Sequence, residues 1–483
     1  MFKLIALIVL FCVSLSIRAQ TFEKTVSISA LKEGANRYFY VPFEVPAKTK
    51  SLTLSYRYDR KDGANVVDLG VFDARFEGTQ TNIKGFRGWS GGRRNTIFIA
   101  ENSATNGYIA GKIPAGTWRV ILGLYKVAPE GVEVTIKVKI NEIDQAAQAE
   151  LAGEKTETYE TPKSENSKSE SRKPKWFKGD LHAHTFHSDG IWTVKGLLDA
   201  AGNNNLDFIS ITDHNTFSHH AEIDSLAKNY KNFLVLRGEE VTTYGGHFNV
   251  WGLPSGEIID FRVAPKNTSR INELVADAHS LGALASINHP FAFCGGCDWS
   301  YGDWQNFESV EIWNGEWDIS DETALKKWDE LLQKGSRITA IGSSDTHRPI
   351  DSMIGFPTNH IGAKRLTQTD LFAAIKSGRV FISAQPEFDL NFTSAKKSIG
   401  EEITDEMGGE IRFQVLANNF PDGAKLLLIS GGKTVQEILT NGENFSREFA
   451  VRFEKSGYAR LEVRGADGKM LALTNPIFIN IKQ

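Results

Sequence analysis

The sequence predicts a multidomain protein in which a central α/β domain lies between two β domains. The chain has 483 residues, which is too long for one ordinary domain. Apolar and polar residues alternate near both ends of the chain, whereas short apolar runs alternate with helical segments in the middle. Hydrophobic residues make up 41% of the chain and charged residues 24%, and both values are typical of globular domains.

The first twenty residues, MFKLIALIVLFCVSLSIRAQ, have the pattern of a secretory signal peptide. A lysine precedes an apolar run from Leu4 to Leu15, and a short polar segment ends at Gln20. We therefore expect cleavage near Gln20 or Thr21 and a secreted or periplasmic protein, with a retained membrane anchor as the alternative. The apolar run is shorter than the roughly 20 residues of a membrane-spanning helix, so no membrane span is expected in the mature protein.

The charge balance argues against nucleic acid as a partner. Removal of Lys3 and Arg18 with the leader lowers the number of basic residues from 55 to 53, against 59 acidic residues. The mature chain would then be net negative and would lack the electrostatic footprint of a nucleic-acid-binding protein. We therefore expect no nucleic-acid partner.

Both flanks of the central region have the two-residue period of half-buried strands. SLTLSYRYD and GVEVTIKVKI show it in the first flank, and IRFQVLA, REFAVRF and ARLEVRG show it in the last. A stretch rich in Glu, Lys, Ser and Thr after the first flank predicts a flexible linker, because it offers almost nothing to bury. The predicted boundaries are a signal peptide at 1–20, an N-terminal β-sandwich at 21–145, a linker at 146–175, a central domain at 176–386 and a C-terminal Ig-like β-domain at 387–483.

The central region alternates strands with helices. DFISIT, FLVLRG, GALASI, SVEIW and RITAIG are predicted strands, and TVKGLLDAAGNN, NELVADAHSLG and ETALKKWDELLQKG are predicted helices. This order predicts a parallel sheet, closed or open. The polar clusters TDHN, GEEVTT, NHP and GSSDTH each follow one of these strands. Because the carboxyl ends of parallel strands in an α/β barrel meet at one mouth, we expect these clusters to lie together.

The distribution of histidine indicates chemistry in the same region. All eleven histidines lie between His182 and His360, and three of them occur in GDLHAHTFHSDG at 179–190. Crowded carboxylates repel one another, and buried charges are costly without a counter-charge. Divalent cations remove both problems, and imidazole with carboxylate ligands suits zinc, iron or manganese. The sequence therefore predicts a metal centre.

The segments DLHAHTFHSDG, TDHN, GEEVTT, GHFNVWG, NHP and SSDTH resemble the motifs of the PHP (polymerase and histidinol phosphatase) family. Their order, with EIWNG between the last two, is similar to that of the CehA/McbA branch of metallohydrolases. The resemblance covers residues 176–386 and implies a distorted (β/α)7 barrel that holds two or three divalent metal ions. The flanking segments GFRGWSGGRR and ALTNPIFI also resemble sequences that accompany this branch, without suggesting a chemical role.

The resemblance assigns nine ligands to three metals. His182, His184, Glu240 and Asp345 would bind the first, Glu240 would bridge to a second that His247 and His289 complete, and Asp189, His214 and His347 would bind the third. Family spacing places the bridging carboxylate at Glu240 rather than Glu239. Asn249 stands where many relatives have a second histidine, and His247 on the same strand face is expected to reach the metal. The expected catalytic residues are Glu240, Asp345 and His347.

Several other polar residues have more than one interpretation. His187 would orient Asp189 or contact the substrate. Arg348 would pair with an anionic group of the substrate or with a nearby aspartate. His219 and His220 lie in a polar segment at a predicted helix start, and we expect them at the solvated surface.

Removal of the leader leaves Cys294 and Cys297, in FAFCGGCDWS, as the remaining cysteines. An oxidising compartment favours a disulfide that closes this short loop, with free thiols as the alternative. A zinc site at this CxxC pair would need two further ligands of suitable spacing, and the sequence contains no second CxxC.

We expect a secreted metal-dependent hydrolase in which a hydroxide that bridges two metals attacks the substrate. No Ser, Cys or Lys nucleophile motif competes with this interpretation. A phosphomonoester or phosphodiester is favoured, because three metals suit three anionic oxygens, and a carbamate or carboxylic (aryl) ester is the alternative. A non-catalytic metal-binding or carbohydrate- or partner-binding module is the alternative of another class.

Overall fold

The computed structural model describes residues 20–32, 34–78, 83–142, 175–302, 304–349, 353–405, 408–440 and 444–482. The predicted signal peptide, apart from Gln20, and the predicted linker, apart from Lys175, lie outside these residues. The protein is multidomain and mostly β, as the sequence predicts. Within the described ranges, no helix is both long enough and apolar enough to cross a membrane.

The N-terminal domain is built from eight antiparallel strands in two four-stranded sheets. The strands are β1 Gln20–Ile28, β2 Tyr38–Val45, β3 Ser51–Tyr58, β4 Val66–Phe72, β5 Phe86–Gly91, β6 Thr96–Ala100, β7 Gly116–Lys126 and β8 Val132–Ile140. One sheet has the order β1-β8-β3-β6 and the other the order β2-β7-β4-β5. The alternating apolar residues face inward, since Leu52 and Leu54 of β3 share a buried core with Val120 of β7 in the other sheet.

The central domain combines nine strands with five α-helices. In chain order they are β9 Lys175–Asp180, α1 Val194–Asn203, β10 Phe208–Ile211, α2 His220–Leu226, β11 Leu234–Thr243, β12 Gly246–Trp251, α3 Thr268–Ser280, β13 Leu284–Ile287, β14 Ser309–Asn314, α4 Ile319–Gln333, β15 Thr339–Ser343, β16 Thr358–Ala363, α5 Gln368–Lys376 and β17 Val380–Ser383. The predicted helices begin at capped residues: the Thr193 side chain accepts from Gly196 N before α1, and Asp318 forms a capping box before α4.

These strands form one continuous sheet with the order β15-β14-β13-β12-β11-β10-β9-β16-β17. β9, β10 and β11 are parallel to one another, and so are β13, β14 and β15. An isolated parallel bridge between Ala183 and Thr346 brings the segment after β9 beside the segment after β15. The carboxyl ends of the parallel strands therefore converge, as predicted for the polar clusters.

The seven-fold β/α alternation expected from the family resemblance is not shown. The described residues of the central domain contain five α-helices, and β12 and β16 run antiparallel to their neighbours. Only Tyr244 and Gly245 connect β11 to β12. A connection of two residues makes a hairpin and is far too short for the crossover helix that a parallel strand needs.

The C-terminal domain continues the central sheet. Its strands are β18 Asp389–Ser394, β19 Lys397–Ser398, β20 Glu402–Asp405, β21 Gly409–Asn418, β22 Lys425–Ser430, β23 Lys433–Leu439, β24 Asn444–Phe453, β25 Gly457–Arg464, β26 Met470–Thr474 and β27 Ile477–Ile481. One sheet has the order β19-β18-β21-β24, and the other extends the central sheet through β17-β26-β25-β22-β23. β17 and β26 are antiparallel, with Phe381 opposite Thr474.

The N-terminal and central domains share a hydrophobic core. Trp89 of β5 packs against Phe261 of the central domain with ring centroids 4.8 Å apart. The Tyr38 hydroxyl donates to the Phe261 carbonyl oxygen at 2.9 Å, and Arg262 donates to the Tyr40 hydroxyl at 2.8 Å. The N-terminal domain is thus fixed to the central domain by buried contacts.

Candidate metal centre

The nine predicted ligands come from the ends of neighbouring strands and from the β11–β12 hairpin. His182, His184 and Asp189 follow β9, His214 follows β10, Glu240 lies in β11, His247 lies in β12, His289 follows β13, and Asp345 and His347 follow β15. A parallel bridge between His214 and Glu240 aligns two of these segments. The structure brings all nine side chains into one cluster of imidazoles and carboxylates.

One oxygen of the Glu240 carboxylate, Oε2, lies beside two imidazole nitrogens and an oxygen of Asp345. His182 Nε2 lies 2.9 Å from His184 Nε2 and 3.3 Å from Asp345 Oδ1. His184 Nε2 lies 3.1 Å from Asp345 Oδ1, and both imidazole nitrogens lie 3.5 Å from Glu240 Oε2. Ligand atoms held about 2.1 Å from a tetrahedral ion lie roughly 3.4 Å apart. These side chains therefore fit a shared divalent cation.

The second oxygen of Glu240 faces a different pair of imidazoles. His247 Nδ1 and His289 Nε2 each lie 3.2 Å from Glu240 Oε1. Asn288 donates to the same oxygen through Nδ2 at 2.9 Å. Glu240 thus has one oxygen near each of two groups of donors, which is the geometry of a bridging carboxylate.

A third group of donors lies at the more open side of the cluster. The Oδ1 atom of Asp189 is 3.4 Å from His214 Nε2 and 3.2 Å from His347 Nε2. The Asp189 side chain is 46% exposed, and the His184 ring stacks on those of both histidines. This group would be the one most accessible to a substrate.

In three of the imidazoles, the Nδ1 atom, which is not the candidate ligand atom, forms a hydrogen bond that sets the orientation of the ring. His182 Nδ1 lies 3.0 Å from Glu311 Oε1, and His214 Nδ1 lies 2.5 Å from Thr242 Oγ1. His347 Nδ1 lies 2.9 Å from the carbonyl oxygen of Asp345. A proton on each Nδ1 leaves Nε2 as the ligand atom, and such supporting bonds are usual around metal-binding histidines.

Two buried carboxylate oxygens within the cluster lack the hydrogen bonds that buried acceptors normally have. Glu240 Oε2 and Asp345 Oδ1 form no hydrogen bond of acceptable geometry with any described residue, although imidazole nitrogens surround both. Glu240 Oε2 even lies 2.6 Å from His214 Nδ1 without suitable alignment. Buried acceptors without partners are rare, and a bound cation would satisfy both oxygens. The donor set therefore fits divalent metal ions.

Charges within the cluster shift the pKa values of its members in opposite directions. Burial alone would raise the pKa of the Glu240 carboxyl, but His214 and His182 hold this pKa well below its usual range. Burial lowers the pKa of His214, yet the charges of Glu240 and Asp189 raise it to about 9. The carboxylate and the imidazole thus favour each other's charged forms, as a divalent cation would favour the charged form of Glu240.

Two of the candidate ligands have strained backbones. His289 has a φ of 24° and Asp345 a φ of 50°, in the region that residues other than glycine rarely adopt. Hydrogen bonds hold both residues, because His289 N donates to Glu311 Oε2 at 3.0 Å and Asp345 N donates to the His182 carbonyl at 3.0 Å. Strain that the surroundings enforce in this way is typical of functional sites.

Glu239 points away from the cluster. Its Oε2 accepts a hydrogen bond from Ile259 N at 2.8 Å. Burial raises the pKa of the Glu239 carboxyl well above its usual range. Consecutive strand residues face opposite sides, and Glu240 is the one that faces the donors.

A cleft of about 550 Å³ opens onto the cluster, and the N-terminal domain forms one of its walls. Trp89, Arg93 and Tyr125 come from that domain, whereas Tyr244 and the Cys294–Cys297 loop come from the central domain. The two cysteines form a disulfide. Sequence reasoning missed this wall, although GFRGWSGGRR was singled out, because nothing in that segment indicates which distant surface it contacts.

Arg94 holds the wall in place. Its guanidinium donates to the carbonyl oxygens of Ser188 at 3.1 Å and Phe186 at 2.6 Å, and the residue is 4% exposed. Asp189 directly follows Ser188. The arginine therefore ties the N-terminal domain to the segment that carries a candidate ligand.

Glu311 and Asn475 are two further positioning residues that sequence reasoning missed. Glu311, within EIWNG, contacts His182 and the backbone of His289. Asn475, within ALTNPIFI, accepts from Ala340 N and donates to Ala340 O, both at 2.8 Å. Ala340 lies in β15, the strand that leads to Asp345, so the C-terminal domain supports the site.

Two predicted substrate contacts lie outside the lining of this cleft. His187 is buried, with Nδ1 2.8 Å from Ser218 Oγ and Nε2 3.3 Å from Glu222. Arg348 is exposed at the end of the segment after β15. The aspartate considered as its partner, Asp351, is outside the described residues.

The prediction that His219 and His220 are solvated is wrong. Both residues are almost fully buried, and His219 Nε2 lies 3.1 Å from the Gly238 carbonyl oxygen. His219 Nδ1 also lies 3.4 Å from the buried carboxylate of Asp213. Burial lowers the pKa of His219 to about 4, so the ring is neutral and serves as a hydrogen-bonded part of the core.

Comparison with known proteins gives weak similarities. No family model matches the chain. An uncharacterized protein of Methanocaldococcus jannaschii is 28% identical over 126 residues, which cover 24% of this chain and 68% of that protein. These values do not by themselves assign the chain to a family.

Similar solved structures include a PHP-like metal-dependent phosphoesterase. A two-domain protein from Bacteroides vulgatus, which contains a predicted phosphoesterase of this type, matches with a TM-score of 0.38 and 20% identity over 66% of this chain and 100% of that one. A lesion-specific endonuclease from Pyrococcus furiosus has a TM-score of 0.31 and 17% identity over 42% of this chain and 56% of its own. An amidohydrolase from Chromobacterium violaceum has a TM-score of 0.26 and 17% identity over 36% and 89%. Similarity at this level does not assign an activity.

Proposed function

We propose that the protein is a secreted metal-dependent hydrolase of phosphate esters, in the CehA/McbA branch of the PHP family. The observation that carries the proposal is the Glu240 carboxylate, which has one oxygen beside His182 and His184 and the other beside His247 and His289. The motif resemblance supports the same chemistry. On this proposal the central sheet is a distorted (β/α)7 barrel in which β12 and β16 have become antiparallel.

The donor set fits two or three ions of manganese, zinc or iron. When bound, these ions would supply a nucleophilic water near neutral pH and neutralise charge on the ester. Glu240 and Asp345 place their carboxylates at the centre of the cluster. Glu311 and Thr242 hold the rings of His182 and His214 so that their Nε2 atoms face the same centre.

The cleft suits an anionic ester with an apolar or sugar group. Arg93 is an exposed cation in the lining, and its guanidinium would bind an oxygen of the ester anion. Trp89, Tyr125 and Tyr244 offer aromatic surface for the rest of a small-molecule or glycan-linked substrate. Arg93 therefore replaces Arg348 as the expected anion contact.

A panel of substrates tests the reaction class. The full mature chain would be stripped with a chelator, reloaded separately with manganese, zinc and iron(II), and assayed on phosphomonoesters, phosphodiesters, aryl esters and carbamates. We expect turnover of at least one phosphate ester to exceed turnover of every carboxylic ester and carbamate, and the chelated protein to be inactive.

If an aryl ester or a carbamate is turned over faster than every phosphate ester, the proposal of a phosphate-ester substrate is wrong and the alternative substrate class is correct. Elemental analysis after reloading tests a third possibility, namely that the protein is not an enzyme. Fewer than one metal per chain, together with no turnover of any substrate, would instead indicate a non-catalytic binding module.

A further inference from the structure

A buried cysteine sulfur lies beside the second group of donors. Potential ligand atoms of His247, His289 and Cys297 all lie within 4.8 Å of one another. The three residues are 9%, 8% and 4% exposed, respectively. Nitrogen and sulfur ligands of a tetrahedral zinc ion, about 2.1 and 2.3 Å from the metal, lie roughly 3.4 to 3.6 Å apart. Shifts of up to roughly 1 Å would thus let the sulfur and both imidazoles bind the same ion.

The disulfide that holds Cys297 is asymmetric. Cys294 is exposed, whereas Cys297 is buried, and both line the cleft. Tyr125 of the N-terminal domain packs against the glycines between them, because a Cβ atom at Gly295 would lie 1.7 Å from the Tyr125 hydroxyl oxygen. A reductant can therefore approach the Cys294 sulfur, while the Cys297 sulfur stays next to the histidines.

We propose that the Cys294–Cys297 disulfide is a redox switch on the second metal site, and that its reduction makes the Cys297 thiolate a ligand together with His247 and His289. This inference rests on the proposed metal-dependent function. In the oxidised protein the Cys297 sulfur is bonded to carbon and to Cys294, so it carries no negative charge. In the reduced protein the same sulfur is a strong ligand for zinc.

The reaction needs a dithiol reductant. A thiolate of the dithiol attacks Cys294 Sγ, the disulfide bond breaks, and Cys297 leaves as a thiolate. The second thiol of the reductant then attacks the mixed disulfide and releases Cys294, so that two electrons pass from the dithiol to the protein and the reductant becomes a cyclic disulfide. The Cys297 thiolate binds the metal instead of taking up a proton.

A thiolate ligand would change what the site does. Zinc sites whose ligands all come from the protein have no position for substrate, whereas catalytic sites keep one open. Gain of the Cys297 sulfur would thus slow hydrolysis and shift the preference of the second site from manganese towards zinc. The switch would link activity to the thiol content of the compartment.

X-ray absorption at the zinc edge tests the switch directly. Full-length mature protein would be loaded with zinc and measured oxidised, and again after reduction with dithiothreitol and removal of the reductant under argon. We expect a sulfur neighbour at about 2.3 Å only in the reduced protein.

Two matched variants control for the identity of the sulfur. Cys294→Ser leaves Cys297 unpaired and should show the sulfur neighbour without any reductant. Cys297→Ser leaves Cys294 unpaired and should show none, even after the reducing treatment. The first variant should also hydrolyse the best panel substrate at least tenfold more slowly than the oxidised parent.

The outcomes separate this inference from the proposed function. Zinc bound by nitrogen and oxygen alone in reduced protein and in Cys294→Ser would overturn the switch and leave the metal-dependent function intact. Absence of bound zinc in every form would overturn both. A sulfur neighbour that persists in Cys297→Ser would assign the ligand to Cys294 and overturn the proposed geometry.

Discussion

At the scale of single residues, Glu239 and Glu240 show how neighbouring carboxyl groups of one strand take different states. Glu240 is surrounded by imidazoles that favour its charged form, whereas Glu239 is buried among groups that favour its neutral form. The alternation of side chains along β11 separates the two environments. Substitution of either residue by glutamine preserves size and removes the ability to carry negative charge.

We expect Glu240→Gln to lower kcat/KM by several orders of magnitude and to reduce the metal content. The amide carries no charge to hold two cations near each other. Glu239→Gln should change kcat/KM by less than about tenfold, or about 1.4 kcal/mol of barrier, because a neutral amide oxygen can still accept from Ile259 N. Steady-state assays on the best panel substrate and elemental analysis of both variants check this.

The reverse result, an inactive Glu239→Gln and an active Glu240→Gln, would show that the metals bind on the other side of β11. Full activity in both variants would argue against any role of this strand in the reaction.

The sequence predicts the candidate ligands better than the residues that hold them in position. A polar residue that directly follows a predicted strand can be recognised from the neighbouring sequence alone, and all nine predicted ligands lie in the cluster. Glu311 could not be recognised, because it contacts His182 across 129 positions of the chain. The burial of His219 was missed for the same reason, since its partner is the Gly238 carbonyl oxygen on a neighbouring strand.

At the scale of elements, the turn after β5 carries two adjacent arginines with different surroundings. Arg93 is exposed in the cleft, whereas Arg94 is buried and bonded to the backbone of Phe186 and Ser188. The same turn therefore contributes one side chain to the lining of the cleft and one to the domain interface.

We expect Arg94→Ala to destabilise the protein and Arg93→Ala to leave its stability unchanged. Loss of Arg94 leaves two carbonyl oxygens without their donor, which costs about 2 kcal/mol and lowers the unfolding midpoint of a protein of this size by roughly 2 °C. Arg93→Ala should raise KM for an anionic substrate by about tenfold, with metal content unchanged. Scanning calorimetry and steady-state kinetics measure both effects.

Equal losses of stability in the two variants would contradict the different roles. An unchanged KM in Arg93→Ala would place the anion elsewhere in the cleft.

The β11–β12 hairpin explains where the predicted fold and the observed fold differ. The central region was expected to repeat strand and helix, yet the two residues between GEEVTT and GHFNVWG leave no room for a helix. The spacing was visible in the sequence. The pattern of the sequence predicts alternating strands and helices, and the resemblance implies the seven-fold barrel. The hairpin departs from both and places His247 opposite Thr242 and close to Glu240.

At the scale of the whole molecule, the N-terminal and central domains share a hydrophobic core, although the composition of the segment between them predicts a flexible linker. The predicted linker has little to bury, and such a linker is compatible with domains that do not touch. Buried contacts such as Trp89 with Phe261, and the hydrogen bond from Tyr244 to Asp68 at 2.6 Å, nevertheless connect the N-terminal domain to the central domain. Composition reports on the connecting segment and carries no information about the surfaces on either side.

Cleavage of the connection should therefore leave the protein assembled. A specific protease site placed within residues 156–170 would be cut in the folded protein, and the two fragments are expected to elute together in size-exclusion chromatography with metal content and activity retained. Uncut protein carrying the same site is the control. Separate elution of the two fragments under native conditions would show that the interface depends on the covalent connection.

The pairing of β17 with β26 has a consequence for the gene. A premature stop codon after the predicted boundary at Pro386 would remove β26 and Asn475 while leaving the whole set of metal ligands in the reading frame. The shortened product would carry an unpaired row of backbone donors and acceptors along β17, a surface that recruits other chains into aggregates. Retention of the ligand codons is therefore not sufficient, because strands encoded after Pro386 complete the sheet that carries the candidate ligands.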